Sequence, residues 1–171
     1  SITMAELGNG LTINRLGFSG SGTITGTNDS DNISASSSSA AGDTVKFEFN
    51  MGEDSSADVL GYLKGGGKEL VKIYQFDTGS DSLSANVVTG AGVTAVGVAT
   101  AASMIGGALG ASISSSDVAS GAATALFTYN GDTFFISQAA GNAIDGTFAN
   151  GEVVFQFVGV TNIAASDIGA I

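Results

Sequence analysis

Cysteine, proline, tryptophan and histidine are all absent from this chain of 171 residues. Without cysteine there is no disulfide, no thiolate nucleophile and no thiolate zinc site. Without histidine there is no Ser-His-Asp triad and no imidazole ligand for zinc or haem. Cations are scarce too: Arg15, Lys46, Lys64, Lys68 and Lys72 are the only five, and none follows Lys72. Phosphate neutralisation needs Lys or Arg, so the charge argues against nucleic-acid binding and against docking on an anionic membrane. The chemistry left open is that of carboxylates, as acid–base groups or as ligands for hard cations.

What is present is apolar, small and acidic. Hydrophobic residues make up 43% and charged residues 12%, with a net charge of -11. This balance argues for a folded chain over a disordered one and favours divalent cations as partners. The length fits a single domain, 1–171, able to bury a core without staples. Residues 82–116 carry no charge, and 93–113 is apolar enough to resemble a membrane span. Its Ala, Gly, Ser and Thr content and its lack of flanking Lys or Arg predict a buried small-residue helix or strand pair, with no membrane insertion. Residues 1–10 have neither the basic start nor the apolar run of a secretory leader. A first residue other than Met suggests a processed chain or a fragment.

Patterning predicts mostly strands. Lys46-Phe47-Glu48-Phe49 alternates, as do 71–73 and 153–157. Residues 125–137 read as a hairpin turning at Asn130-Gly131, a pair suited to the two positive φ angles of a type I′ turn. Asn150-Gly151 marks a further turn before a strand over 153–160, and Phe134, Phe155 and Phe157 are core candidates. Two short helices are expected at 99–109 and 116–125, and the serine-rich stretch 34–39 reads as a loop.

Two stretches gather hard oxygen donors. Gly26-Thr27-Asn28-Asp29-Ser30-Asp31-Asn32-Ile33 and Ala41-Gly42-Asp43-Thr44-Val45 both end in Asp, any residue, then an aliphatic. Calcium takes six to eight such oxygens, and turns of this type supply them when they stack in a β-roll. Asn28, Asp29, Asp31 and Asp43 are therefore candidate Ca2+ ligands. Asp77 and Asp81 join them from Phe76-Asp77-Thr78-Gly79-Ser80-Asp81. That last stretch has a competing reading as an aspartic-protease loop, with Asp77 activating water. Such an enzyme needs two facing aspartates; only a dimer, or a second loop at Asp145-Gly146-Thr147, would supply the partner.

The order of motifs resembles the C-terminal export module of RTX-type exoproteins, shared by serralysin-type proteases, exported lipases, RTX adhesins and several bacterial surface-layer proteins. The residues that carry it are Gly42-Asp43-Thr44-Val45-Lys46-Phe47, then 73–83, then Gly131-Asp132-Thr133-Phe134-Phe135, then 153–163, then Asp167-Ile168. The resemblance implies type I secretion by a dedicated export machinery and calcium-assisted folding outside the cell. The fold it implies is mainly β: a short degenerate calcium β-roll over 26–84, preceded by an N-terminal segment, 1–25. A β-sandwich-like region with one or two short helices then covers 85–171.

The expected function is that of a non-enzymatic, structural extracellular protein. The small uncharged residues point to a subunit that assembles with itself into a surface layer or filament. The alternatives are an export tail of a larger secreted enzyme or adhesin, and a dimeric aspartic protease using Asp77.

Overall fold

A computed structural model describes residues 2–3, 12–18, 20–27, 29–52, 56–85, 124–137 and 150–170. Twelve strands are described: β1 (Ile2–Thr3), β2 (Thr12–Phe18), β3 (Gly22–Thr25), β4 (Asn32–Ser37), β5 (Thr44–Asn50) and β6 (Val59–Leu63), then β7 (Lys68–Tyr74), β8 (Ser82–Ala85), β9 (Thr124–Tyr129), β10 (Asp132–Ser137), β11 (Val153–Phe157) and β12 (Ile168–Ala170). They form two sheets. Sheet A has the order β1-β3-β5-β7-β11-β10-β9 and sheet B the order β12-β8-β6-β4-β2.

Successive strands up to β8 alternate between the sheets, and neighbours within each sheet are parallel. The chain therefore winds as a flattened coil, one strand in each layer per turn. It leaves the coil after β8 and returns with β11 and β12, which extend both sheets in the parallel sense. The hairpin β9–β10 adds antiparallel to β11 at the end of sheet A.

Alternation explains the layers. In β5, Val45, Phe47 and Phe49 point inward while Lys46 is exposed. Phe47 stands in register with Val71 of β7, which stands in register with Phe155 of β11. Sheet B answers with Ile33, Ala35, Leu60, Tyr62, Leu83 and Ala85, all buried in the same core. Tyr62 joins the layers, meeting Phe155 edge to face at 5.5 Å and Phe49 at 6.3 Å. Phe135 stacks on Phe155 at 5.8 Å. Leu70, Phe134, Ile136 and Val154 lie on the opposite face of sheet A by register, yet are also buried. The C-terminal half of that sheet is thus apolar on both faces, as parallel sheets covered on two sides are.

The mainly β class holds, and so does the hairpin. Asn130 and Gly131 have φ of 52° and 86°, and the flanking strands pair from Asp132↔Tyr129 to Ser137↔Thr124. β11 is buried at every position, and Phe134, Phe155 and Phe157 are core residues. Two expectations need correction. The serine-rich stretch is largely strand β4, because Ile33, Ala35 and Ser37 alternate inward and the parallel ladder overrides the loop preference of serine. The helix expected over 116–125 ends in residues that belong to strand β9, where pairing with β10 takes Thr124 and Ala125; its remainder, and the helix at 99–109, lie outside the described residues. The only helical turn described is a 3-10 turn at Ala165–Asp167. β1 to β3, β11 and β12 belong to the same two sheets as β4 to β8. No helix among the described residues is long and apolar enough to cross a membrane.

Candidate functional site

The turns that lead from sheet A to sheet B line one long edge of the coil, and four of them deliver an aspartate just before the sheet B strand. Asp31 precedes β4, Asp58 precedes β6, Asp81 precedes β8 and Asp167 precedes β12. All four are buried, Asp31 and Asp58 to 1% exposure. Parallel neighbours stand about 4.8 Å apart, so these carboxylates stack along the edge at the spacing of the coil.

Backbone amides hold the stack together in two directions. Within a turn, Thr27 N donates to Asp31 Oδ2 at 2.6 Å, Asp77 N to Asp81 Oδ2 at 2.7 Å and Ala164 N to Asp167 Oδ2 at 2.9 Å. Between turns, Asp31 N donates to Asp58 Oδ1 at 2.7 Å and Asp58 N to Asp81 Oδ1 at 3.0 Å. Val59 N and Ser82 N bond the carbonyls of Asp31 and Asp58, so the main chain zips alongside. The Thr27 hydroxyl adds a bond to Asp31 Oδ1 at 2.7 Å. Asp81 thus closes its own turn and binds the turn of Asp58, Asp58 binds the turn of Asp31, and Asp31 and Asp167 close their own turns, taking up donors that regular strands leave over at their ends. Gly26 is required by this packing: a Cβ there would run into Asp31 Oδ2 and come within 3.0 Å of the Asn50 carbonyl.

The six candidate calcium ligands are distributed unevenly. Asp29, Asp31, Asp77 and Asp81 lie on this edge, Asp29 and Asp77 half-buried in the turns that precede Asp31 and Asp81. Asn28 lies outside the described residues. Asp43 is on the opposite edge, exposed, where its carboxylate accepts from Ala40 N at 2.7 Å and closes a local turn. Asp31 and Asp43 are therefore parts of two different edges. The Asp31 and Asp81 carboxylates already accept amides, and among the described residues no group of three or more carboxylates gathers where a metal ion would sit. Asp58 is the residue that the motif reading missed. Its signal is Asp58-Val59-Leu60, the same Asp, any residue, aliphatic pattern, 27 residues after Asp31 and 23 before Asp81.

Asp77 sits in a turn whose carbonyl accepts Ser80 N and Asp81 N, with Gly79 at φ 84°. The loop at 145–147, which a single-chain protease would need, lies outside the described residues.

A second polar cluster occupies the opposite edge. Glu69, fully buried, accepts from Ser39 Oγ at 2.7 Å, from Gly65 N at 3.2 Å and from the Tyr62 hydroxyl at 3.4 Å. Glu152 is buried one position before β11, and its carbonyl accepts Glu69 N. Lys64 Nζ donates to the Gly151 carbonyl at 2.6 Å. Burial pushes the Lys64 ammonium pKa down, and the charges of Glu69 and Glu152 hold part of it back. The Tyr62 hydroxyl is pushed far above the ordinary tyrosine value, by burial first and by the Glu69 charge second. These groups pin the returning strand β11 to the coil. No family model, curated protein or solved structure matches this chain.

Proposed function

We propose that this chain is a non-catalytic structural module of an exported, extracellular protein, stabilised by calcium along its aspartate edge. The observation that supports this most is the recurrence of one buried aspartate at the same place in successive turns of a parallel coil. Stacked like charges repel one another in a low-dielectric edge. A divalent cation held beside the stack would offset that repulsion, so folding would be favoured where calcium is abundant. Asp29 with Asp31, and Asp77 with Asp81, are the carboxylates that would hold it; Asp43 would not. The test is a thermal melt in calcium and in chelator. We expect a higher midpoint in calcium, lost in Asp29→Asn and kept in Asp43→Asn, because binding to the folded state alone adds stability by mass action. Equal midpoints in calcium and chelator would sink the calcium claim.

A second reading, a subunit that assembles with itself into a layer or filament, is favoured by one further feature. Ser34, Gly61, Ser84 and Gly169 stand in a single register row across the outer face of sheet B. A small, uncharged sheet face of this kind permits close stacking of two copies. Negative-stain microscopy across a calcium titration tests it; particles that stay single at high concentration would leave the module reading alone.

A further inference from the structure

A parallel coil has a recurrent hazard, since its terminal strands offer unpaired N–H and C=O groups to any other strand. The described strands at the ends of this coil are poor templates. β1 has two residues and β12 three. Two outer strands are longer: β9 has six residues at the hairpin end of sheet A, and β2 has seven at the outer position of sheet B. Among the described residues no strand pairs with the outer edge of β2.

The ladder of β2 is broken in its middle. Ile13 pairs with Ile33 and Leu16 with Ala35, so Asn14 and Arg15 together stand opposite Ser34 alone. The extra residue makes a bulge, which twists the strand and interrupts the regular spacing that a new partner must match. One of the two bulge residues is Arg15, the only arginine in the chain. A second copy arriving in register would meet a misfit at a position that carries a charged residue.

We infer that the Asn14–Arg15 bulge is a guard that keeps the end of sheet B from pairing with the edge strand of a second copy. This guard concerns the end of the coil, and it stands whether or not the faces of sheet B stack. It is tested with two variants of the whole chain. In one, a single valine replaces Asn14 and Arg15, restoring the regular register; in the other, Arg15→Val leaves the bulge in place. Circular dichroism and thermal midpoint establish that each folds. Multi-angle light scattering then reads mass, and hydrogen exchange reads the β2 amides. The wild type is expected to keep fast-exchanging β2 amides at all concentrations. The single-valine chain is expected to shift from monomer to dimer and larger species, with β2 becoming protected, and Arg15→Val to shift less. If the single-valine chain does not fold, the Arg15→Val mass decides. Folded variants that remain monomeric, or wild-type assemblies in which β2 becomes protected, would overturn the guard.

Discussion

At the scale of single residues, the aspartates of the long edge act first through their hydrogen bonds. Asp58 is the middle member, accepting Asp31 N and donating its own N–H to Asp81. Asp58→Ala strands a buried amide, and that costs about 1–3 kcal/mol. Asp58→Asn keeps an oxygen acceptor and removes one charge from the stack, so it should cost less than alanine. Urea unfolding of the two variants side by side separates the terms. An asparagine variant as unstable as alanine would mean that the charge itself is needed, through a bound cation or another ionic contact. Tyr62 gives a second single-residue prediction, this time on pH. Its hydroxyl ionises near 10.0 in the unfolded chain and only well above that in the folded one. Between those values the folded state holds the extra proton. Its contribution is therefore complete below pH 10 and falls as pH rises, by about 1.4 kcal/mol per pH unit. Lys64 has the opposite sign: its lowered folded pKa makes stability rise with pH in the window below 10.5. The tyrosine shift is the larger, so alkali should unfold the protein as tyrosinate absorbance appears. Tyr62→Phe should move that unfolding to higher pH; an unchanged alkaline midpoint would show that Tyr62 does not govern it.

At the scale of elements, the turns decide how well the pattern holds. Gly131 has φ 86° and open space around the site of a Cβ, so a side chain there meets backbone strain and no clash. Gly131→Ala should cost about 1–2 kcal/mol, the penalty of a left-handed conformation. Gly131→Asn, better tolerated in that region, should recover part of it. Equal midpoints for both variants and the wild type would mean that the turn is adaptable. The hairpin was legible because Asn-Gly between two alternating runs has a local mechanism. The inward face of β5 was legible for the same reason, since Val45, Phe47 and Phe49 alternate with charge. Strand β4 was not: Asn-Ile-Ser-Ala-Ser-Ser has a weak apolar pattern, and its strand state comes from neighbours β2 and β6 on either side. The aspartate edge was half legible. Two-residue spacing to an aliphatic picks out Asp31, Asp58 and Asp81, but it equally picks out Asp43. Nothing local says that Asp43 enters a sheet A strand and the others sheet B strands, which places them on opposite edges. Glu69 carried no signal at all, because its role depends on Ser39 and Tyr62 from other turns of the coil.

At the scale of the whole molecule, the main problem is closure. The chain leaves the coil after β8 and must bring β11 back beside β7, a contact between residues far apart in sequence whose entropy cost is met late in folding. Hydrophobic burial of Phe155 and Phe157 drives the return, but apolar contact alone does not fix the register of a parallel strand. The polar cluster does. Lys64 Nζ bonds the Gly151 carbonyl, Gly151 N bonds the Gly67 carbonyl, Glu69 N bonds the Glu152 carbonyl, and Gly42 N bonds Asn150 Oδ1. All four fix the residues at the entry to β11. Lys64 also supplies the positive charge that Glu69 and Glu152 share. Lys64→Met keeps the length of the side chain and removes the charge and the donor. A fully buried pair broken in this way loses roughly 3–5 kcal/mol; Lys64 is half-exposed, so about 1–3 kcal/mol is expected. The loss should be local. In native-state hydrogen exchange, amides of β11, β10 and β9 should lose protection together, because among the described residues the hairpin joins sheet A through β11. Amides of β4, β6 and β8 should keep theirs. Equal loss in both sheets would make the coil and its returning strand one cooperative unit. No loss in β11 would show that Phe155 and Phe157 set the register without the cluster.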